Sequence, residues 1–125
     1  MKTIEFDPNG ERLTASFTFD DLIVASYSFT LWEANSNDRV KYEEGNNQNI
    51  DDDSFKLPLP VSTNHGRLLQ LRTEFVGLDQ SSGRSYEIKA QIHQGGKLLG
   101  ELSDSGKITG GFQASLIYII IKHKN

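Results

Sequence analysis

Alternation of apolar and polar residues with a period of two is the feature that most constrains this chain. From Arg12 to Phe19 the apolar Leu13, Ala15, Phe17 and Phe19 alternate with Arg12, Thr14, Ser16 and Thr18. Successive side chains of an extended strand point to opposite faces, so the run reads as a strand with one buried and one solvated side. Ala25, Tyr27, Phe29 and Leu31 repeat the pattern against Ser26, Ser28 and Thr30, as do Tyr86, Ile88, Ala90 and Ile92 against Glu87, Lys89, Gln91 and His93. Phe55, Leu57 and Leu59 form a further run, and Leu69, Leu71, Thr73 and Phe75 another. No window of helical length has a 3.6-residue period, so at most one short helical turn is expected.

Turn residues punctuate these runs at Pro8-Asn9-Gly10, Asp20-Asp21, Asn64-His65-Gly66, Gly83, Gly95-Gly96 and Asp104-Ser105-Gly106. Gly95-Gly96, between Ile92 and Leu98, suits a two-residue hairpin turn, which needs the positive φ that glycine adopts without steric cost. One-sided strands must find cover for their apolar faces. The expected fold is therefore all-β: a single antiparallel two-sheet β-sandwich of about eight strands, Ig-like or C2-like in shape, with a closed barrel as the competing solution. The 125 residues are read as one domain, 1–125, interrupted by a long polar loop at 35–54 within which Val40-Lys41-Tyr42 has the makings of a brief strand.

Composition narrows the chemistry. With no cysteine, disulfides, thiolate metal sites and a cysteine nucleophile are excluded. A net charge of −4 disfavours binding to phosphate backbones, so nucleic acid is not an expected partner. The residues after Met1 lack a secretory apolar stretch, and the longest apolar run, Leu116 to Ile121, is too short to span a bilayer as a helix. A cytoplasmic protein without membrane insertion is the corresponding expectation, unless the sequence is a trimmed mature form of a secreted protein.

Motifs for chemistry are faint. Asn47, Asn49, Asp51 and Asp53 recur at two-residue spacing, so a curled loop would bring their oxygens together around Ca²⁺, although the glycine and glutamate of an EF-hand are missing. Trp32 shares the phase of Ser26, Ser28 and Thr30 and is a candidate stacking platform for carbohydrate, unless twist or a bulge covers it. His65, His93 and His123 are widely separated and read as solvated side chains. Glu43-Glu44 and Asp104 are the carboxylates from which an acid and base pair would have to be assembled, but no spacing selects them. Neither a G-x-S-x-G elbow, an H-E-x-x-H helix nor a phosphate loop is present in the sequence.

The last strand is apolar in both phases. Phe17, Phe29, Leu71, Ile88 and Leu116 are expected in the core, which leaves Ile117, Ile119 and Ile121 as a spare face for a protein partner or a second copy. The function expected on these grounds is a non-enzymatic binding module that engages another protein in an interaction, inhibitor or immunity-type role. A Ca²⁺- or carbohydrate-binding module and an enzyme with a cross-strand site are the alternatives.

Overall fold

The computed structural model describes residues 1–48 and 53–124. Its strands are β1 (Lys2–Phe6), β2 (Leu13–Phe19), β3 (Ile23–Trp32), β4 (Arg39–Asn46), β5 (Ser54–Lys56), β6 (Leu68–Gly77), β7 (Ser85–Gln94), β8 (Lys97–Lys107) and β9 (Gln113–His123). Among the described residues the only helical segment is a 3-10 turn, Val61–Asn64. No helix in them is long and apolar enough to cross a membrane.

The strands form a five-stranded sheet, ordered β1-β9-β6-β3-β4, and a four-stranded sheet, ordered β5-β2-β7-β8. The two sheets do not close into a barrel, an arrangement consistent with a sandwich. All neighbours pair antiparallel except β1, which lies parallel to β9 with Ile4 opposite Ile121. That parallel edge and the full eight residues of β4 depart from the sequence expectation; β4 carries Lys, Glu, Tyr and Asn in place of an alternating apolar face. Two other expectations change. Asp104-Ser105-Gly106 lies inside β8 and is no turn. The run through Leu59 stops at Lys56, leaving Leu57 buried and Leu59 exposed; Pro58 and Pro60 have no N–H for a ladder. The Gly95-Gly96 turn joins β7 to β8 with φ of 58° and 80° at the two glycines.

The core sits between the sheets. Phe17 of β2 packs edge-on against Phe29 of β3 with ring centroids 5.3 Å apart, and Phe55 and Tyr27 complete this aromatic cluster. Leu71 and Ile88 are fully buried, as their phase requires. In β9 the expected phase is reversed. Ile117, Ile119 and Ile121 have exposures of 2%, 0% and 0%, whereas Leu116 is 46% exposed. The ladder decides this: Ile117 and Ile119 are opposite the buried Leu71 and Leu69 of β6 and share their inward face. Ile121 is held likewise beside Ile4. The three isoleucines are therefore core and cannot serve as an interaction face; the spare apolar set is Leu116, Tyr118 and Ile120.

Candidate functional site at the end of the five-stranded sheet

The registers of neighbouring strands lay the outward side chains of the five-stranded sheet in rows. At one end Ile120 of β9 is opposite Leu68 of β6, which is opposite Trp32 of β3. The next row is Tyr118, Gln70, Thr30 and Tyr42; the one after it is Leu116, Arg72, Ser28 and Glu44. Polarity thus rises along the face from an aliphatic and aromatic end to a charged middle, where Arg72 pairs with Glu74 at 3.0 Å.

The apolar row floors a cleft of about 530 Å³. Asn35, Ser36 and Asn37, from the loop joining β3 to β4, form one wall, and Met1, Glu33 and Gln70 also border it. Trp32 keeps its outward phase; the irregularity lies opposite, where β4 passes from Lys41 beside Leu31 to Arg39 beside Trp32 and leaves Val40 as the extra residue. The indole is held in place: its Nε1–H donates to Gln70 Oε1 at 2.9 Å. The Arg39 guanidinium lies 4.3 Å from the centroid of the Tyr42 ring and 5.9 Å from that of Trp32, so it sits over Tyr42 and reaches only the margin of the indole.

The loop wall is anchored from beneath. Arg67, buried immediately before β6, donates through Nε and Nη2 to the two oxygens of Glu33 at 3.2 and 3.1 Å, and through Nη1 to Asn64 Oδ1 at 3.0 Å. Asn64, also buried, donates onward to the carbonyls of Pro58 and Val61. Glu33 accepts the Ala34 backbone N–H as well. The hydrogen bonds from Arg67, and then that from Ala34, hold the Glu33 carboxyl below the usual glutamate range. Asn35 completes the turn in the left-handed region at φ 53°, which an asparagine tolerates better than most side chains.

The other sequence candidates among the described residues do not converge on this cleft. Asn47 spends its side chain on the edge of β3, with Oδ1 accepting from the Ala25 N–H and Nδ2 donating to the Ile23 carbonyl. Asp53 accepts the Tyr27 hydroxyl at 2.7 Å, and Asn49 and Asp51 lie outside the described residues. Burial first, and then Asp53, pushes the Tyr27 hydroxyl well above the ordinary tyrosine range. The side chains of Asn47 and Asp53, candidate cation ligands by their spacing, thus tie the two described ends of the loop to β3. Among the described residues no three His, Asp or Glu side chains gather as a metal-holding group.

Glu43 and Glu44 are on β4, at one lateral edge, where they contact Lys41 and Tyr42. Asp104 is on β8, at the edge of the other sheet, where it accepts the Ser115 hydroxyl at 2.6 Å across the interior. No acid and base pair forms between them. His65 is exposed and His93 and His123 are half-buried, but the rings of His65 and His123 meet, tilted by 37° with centroids 4.0 Å apart, and the His123 backbone N–H donates to His65 Nδ1. Their separation in sequence concealed this. The contribution of Gln70, Asn35 and Asn37 to the cleft was equally invisible, because three neutral polar residues on a strand and a loop form no motif.

A comparison with protein-family models, curated proteins and solved structures finds no match for this chain.

Proposed function

We propose that the chain is a non-enzymatic binding module that engages a protein partner through the outer face of its five-stranded sheet. One observation carries this reading: the outward set of β9, Leu116, Tyr118 and Ile120, adjoins Leu68 and Trp32 to give an apolar and aromatic surface that the described residues leave partly open. Apolar surface of this kind is favourable to bury, at about 25 cal/mol per Å² removed from water. Half-buried aromatics among polar neighbours are also the usual anchors of a protein contact. The charged middle of the same face, with Arg72, Glu74 and Glu44, would set orientation and partner choice more than affinity.

Two leucines give a matched test. Leu116 is 46% exposed on this face and Leu98 is 44% exposed on β8 of the other sheet. A photo-cross-linking amino acid is placed at each position in turn. Capture of one defined protein, or of a second copy, from position 116 and not from 98 is expected. Equal capture from both positions, or none from 116, would overturn the assignment of the face. Light scattering on the purified chain separates a dimer from a partner of another sequence.

A further inference from the structure

The cleft over Trp32 has a composition that the protein contact does not need, and that composition selects a ligand. Its floor is apolar, formed by Trp32, Leu68 and Ile120, while its rim carries neutral hydrogen-bonding groups from Asn35, Ser36, Asn37 and Gln70. The bordering carboxylate, Glu33, is already compensated by the fork of Arg67. None of the side chains that line the cleft is cationic, and the nearby Arg39 guanidinium lies over the Tyr42 ring, so a charged ligand would meet no free counter-charge among these side chains. A wholly apolar one would strip water from the amides and return no hydrogen bond, at a cost of about 1–3 kcal/mol for each buried group. The complementary molecule is neutral, has one apolar face, and is edged with hydroxyls.

That description fits a sugar ring, whose axial C–H groups form an apolar face and whose equatorial hydroxyls lie around its edge. The indole is prepared for such a contact. Its N–H is committed to Gln70, so the ring offers a flat π surface and no donor, and the hydrogen bond fixes its plane. The wall is prepared as well, since Arg67, Asn64 and Glu33 hold the loop that carries Asn35 and Asn37. The volume, about 530 Å³, lies within the usual range for a small-molecule site.

We propose that this cleft is a saccharide-binding site, in which a neutral pyranose stacks on Trp32 and is hydrogen-bonded at its edge by Asn35, Asn37 and Gln70. The site adjoins the protein contact proposed above and shares Trp32, Leu68 and Ile120 with it, but the two readings fail separately, since capture from position 116 reports the protein contact and the Trp32 and Asn37 signals report the sugar. The test is titration of the ¹⁵N-labelled chain with neutral gluco-, manno-, galacto- and xylo-oligosaccharides, and separately with sialylated and uronic ones. Trp32 is the only tryptophan, so its indole N–H gives one unambiguous signal, read beside the side-chain amides of Asn35 and Asn37. Saturable shifts of these signals are expected with at least one neutral sugar. Trp32→Ala should weaken that binding about tenfold or more, and Asn37→Ala by a smaller factor, whereas Leu116→Lys should leave it unchanged. Since Trp32→Ala removes part of the cleft floor, Asn37→Ala, on an exposed loop, serves as the variant that keeps the fold. No shift with any neutral sugar at millimolar concentration would overturn the proposal. So would a response confined to the charged sugars, or one that Trp32→Ala and Asn37→Ala both leave intact.

Discussion

On the outer face of the four-stranded sheet, Lys89 lies 3.7 Å from Glu87 and 3.5 Å from Glu101, and Gln91 donates to Glu101 at 3.1 Å. Ser16 meets Ser54 across β2 and β5, and His93 contacts Gln91. These side chains satisfy one another, and although Leu98 of the same sheet is exposed, a face built mainly of such pairs needs no cover. On the outer face of the five-stranded sheet the same positions of the same kind of strand carry Trp32, Leu68, Ile120, Tyr118 and Leu116. The difference teaches that strand formation alone does not account for the second surface. Serine, threonine and charged residues suffice to keep a solvated face in a sheet, so the aromatic and aliphatic set is not required by strand formation, and it is the surface on which the proposed binding role rests.

The contrast can be broken most forcefully within β9. Ile119→Lys should unfold the protein or cost about 3–5 kcal/mol, since it places a charge in a fully buried site with no partner. Leu116→Lys, three residues away and outward, should change stability by no more than about 0.5 kcal/mol. Urea denaturation of the two variants checks this, and similar losses in both would mean that the outward face is packed. A second measurement compares the two outer faces directly. The native protein should bind a hydrophobic fluorescent dye, and Leu116→Thr combined with Ile120→Thr should remove most of that signal. Leu98→Thr, on the four-stranded sheet, should not.

A smaller effect tests the interior that the two faces share. Thr73 is fully buried, and its hydroxyl has no hydrogen-bond partner among the described residues. Thr73→Val should therefore raise stability by about 1 kcal/mol, and a loss on thermal or chemical denaturation would show that the hydroxyl is satisfied. The smallest effect concerns the wall of the cleft. Because Arg67 holds the Glu33 carboxyl below the usual glutamate range, the stabilisation from this pair is present above the unfolded-state pKa and is lost as pH falls through the lowered folded-state value. Acidification below the usual glutamate range should thus shift Trp32 emission before the far-UV circular dichroism changes. In Glu33→Gln that early shift should vanish; its persistence would mean that another group anchors the loop.

Much of the fold was legible. Every run from Leu13 to Phe19, Ala25 to Leu31 and Tyr86 to Ile92 lies within an observed strand with the anticipated face inward, because one-sided alternation leaves a single way to hide the apolar set. β4 was only partly seen, since an edge strand that carries Lys41, Glu43 and Tyr42 has little apolar periodicity to show. Trp32 was correctly placed in an outward phase, but the cleft around it draws on Leu68, Gln70 and Ile120 from strands distant in the sequence.

What the sequence determined by itself is the strand character of the chain and the face of each strand that alternates cleanly, because local geometry makes side chains point to opposite sides in turn. It could not determine which face of β9 is inward, for Leu116 to Ile121 is apolar on both. Nor could it show that Asn47 and Asp53 serve β3 rather than a cation, or that the rings of His65 and His123 meet. Those outcomes were decided by tertiary structure, and the reason is common to them. Each depends on which neighbour a residue meets across a ladder or between sheets, and pairing β9 with β6 and β1 buries Ile117, Ile119 and Ile121 while turning Leu116, Tyr118 and Ile120 outward beside Leu68 and Trp32.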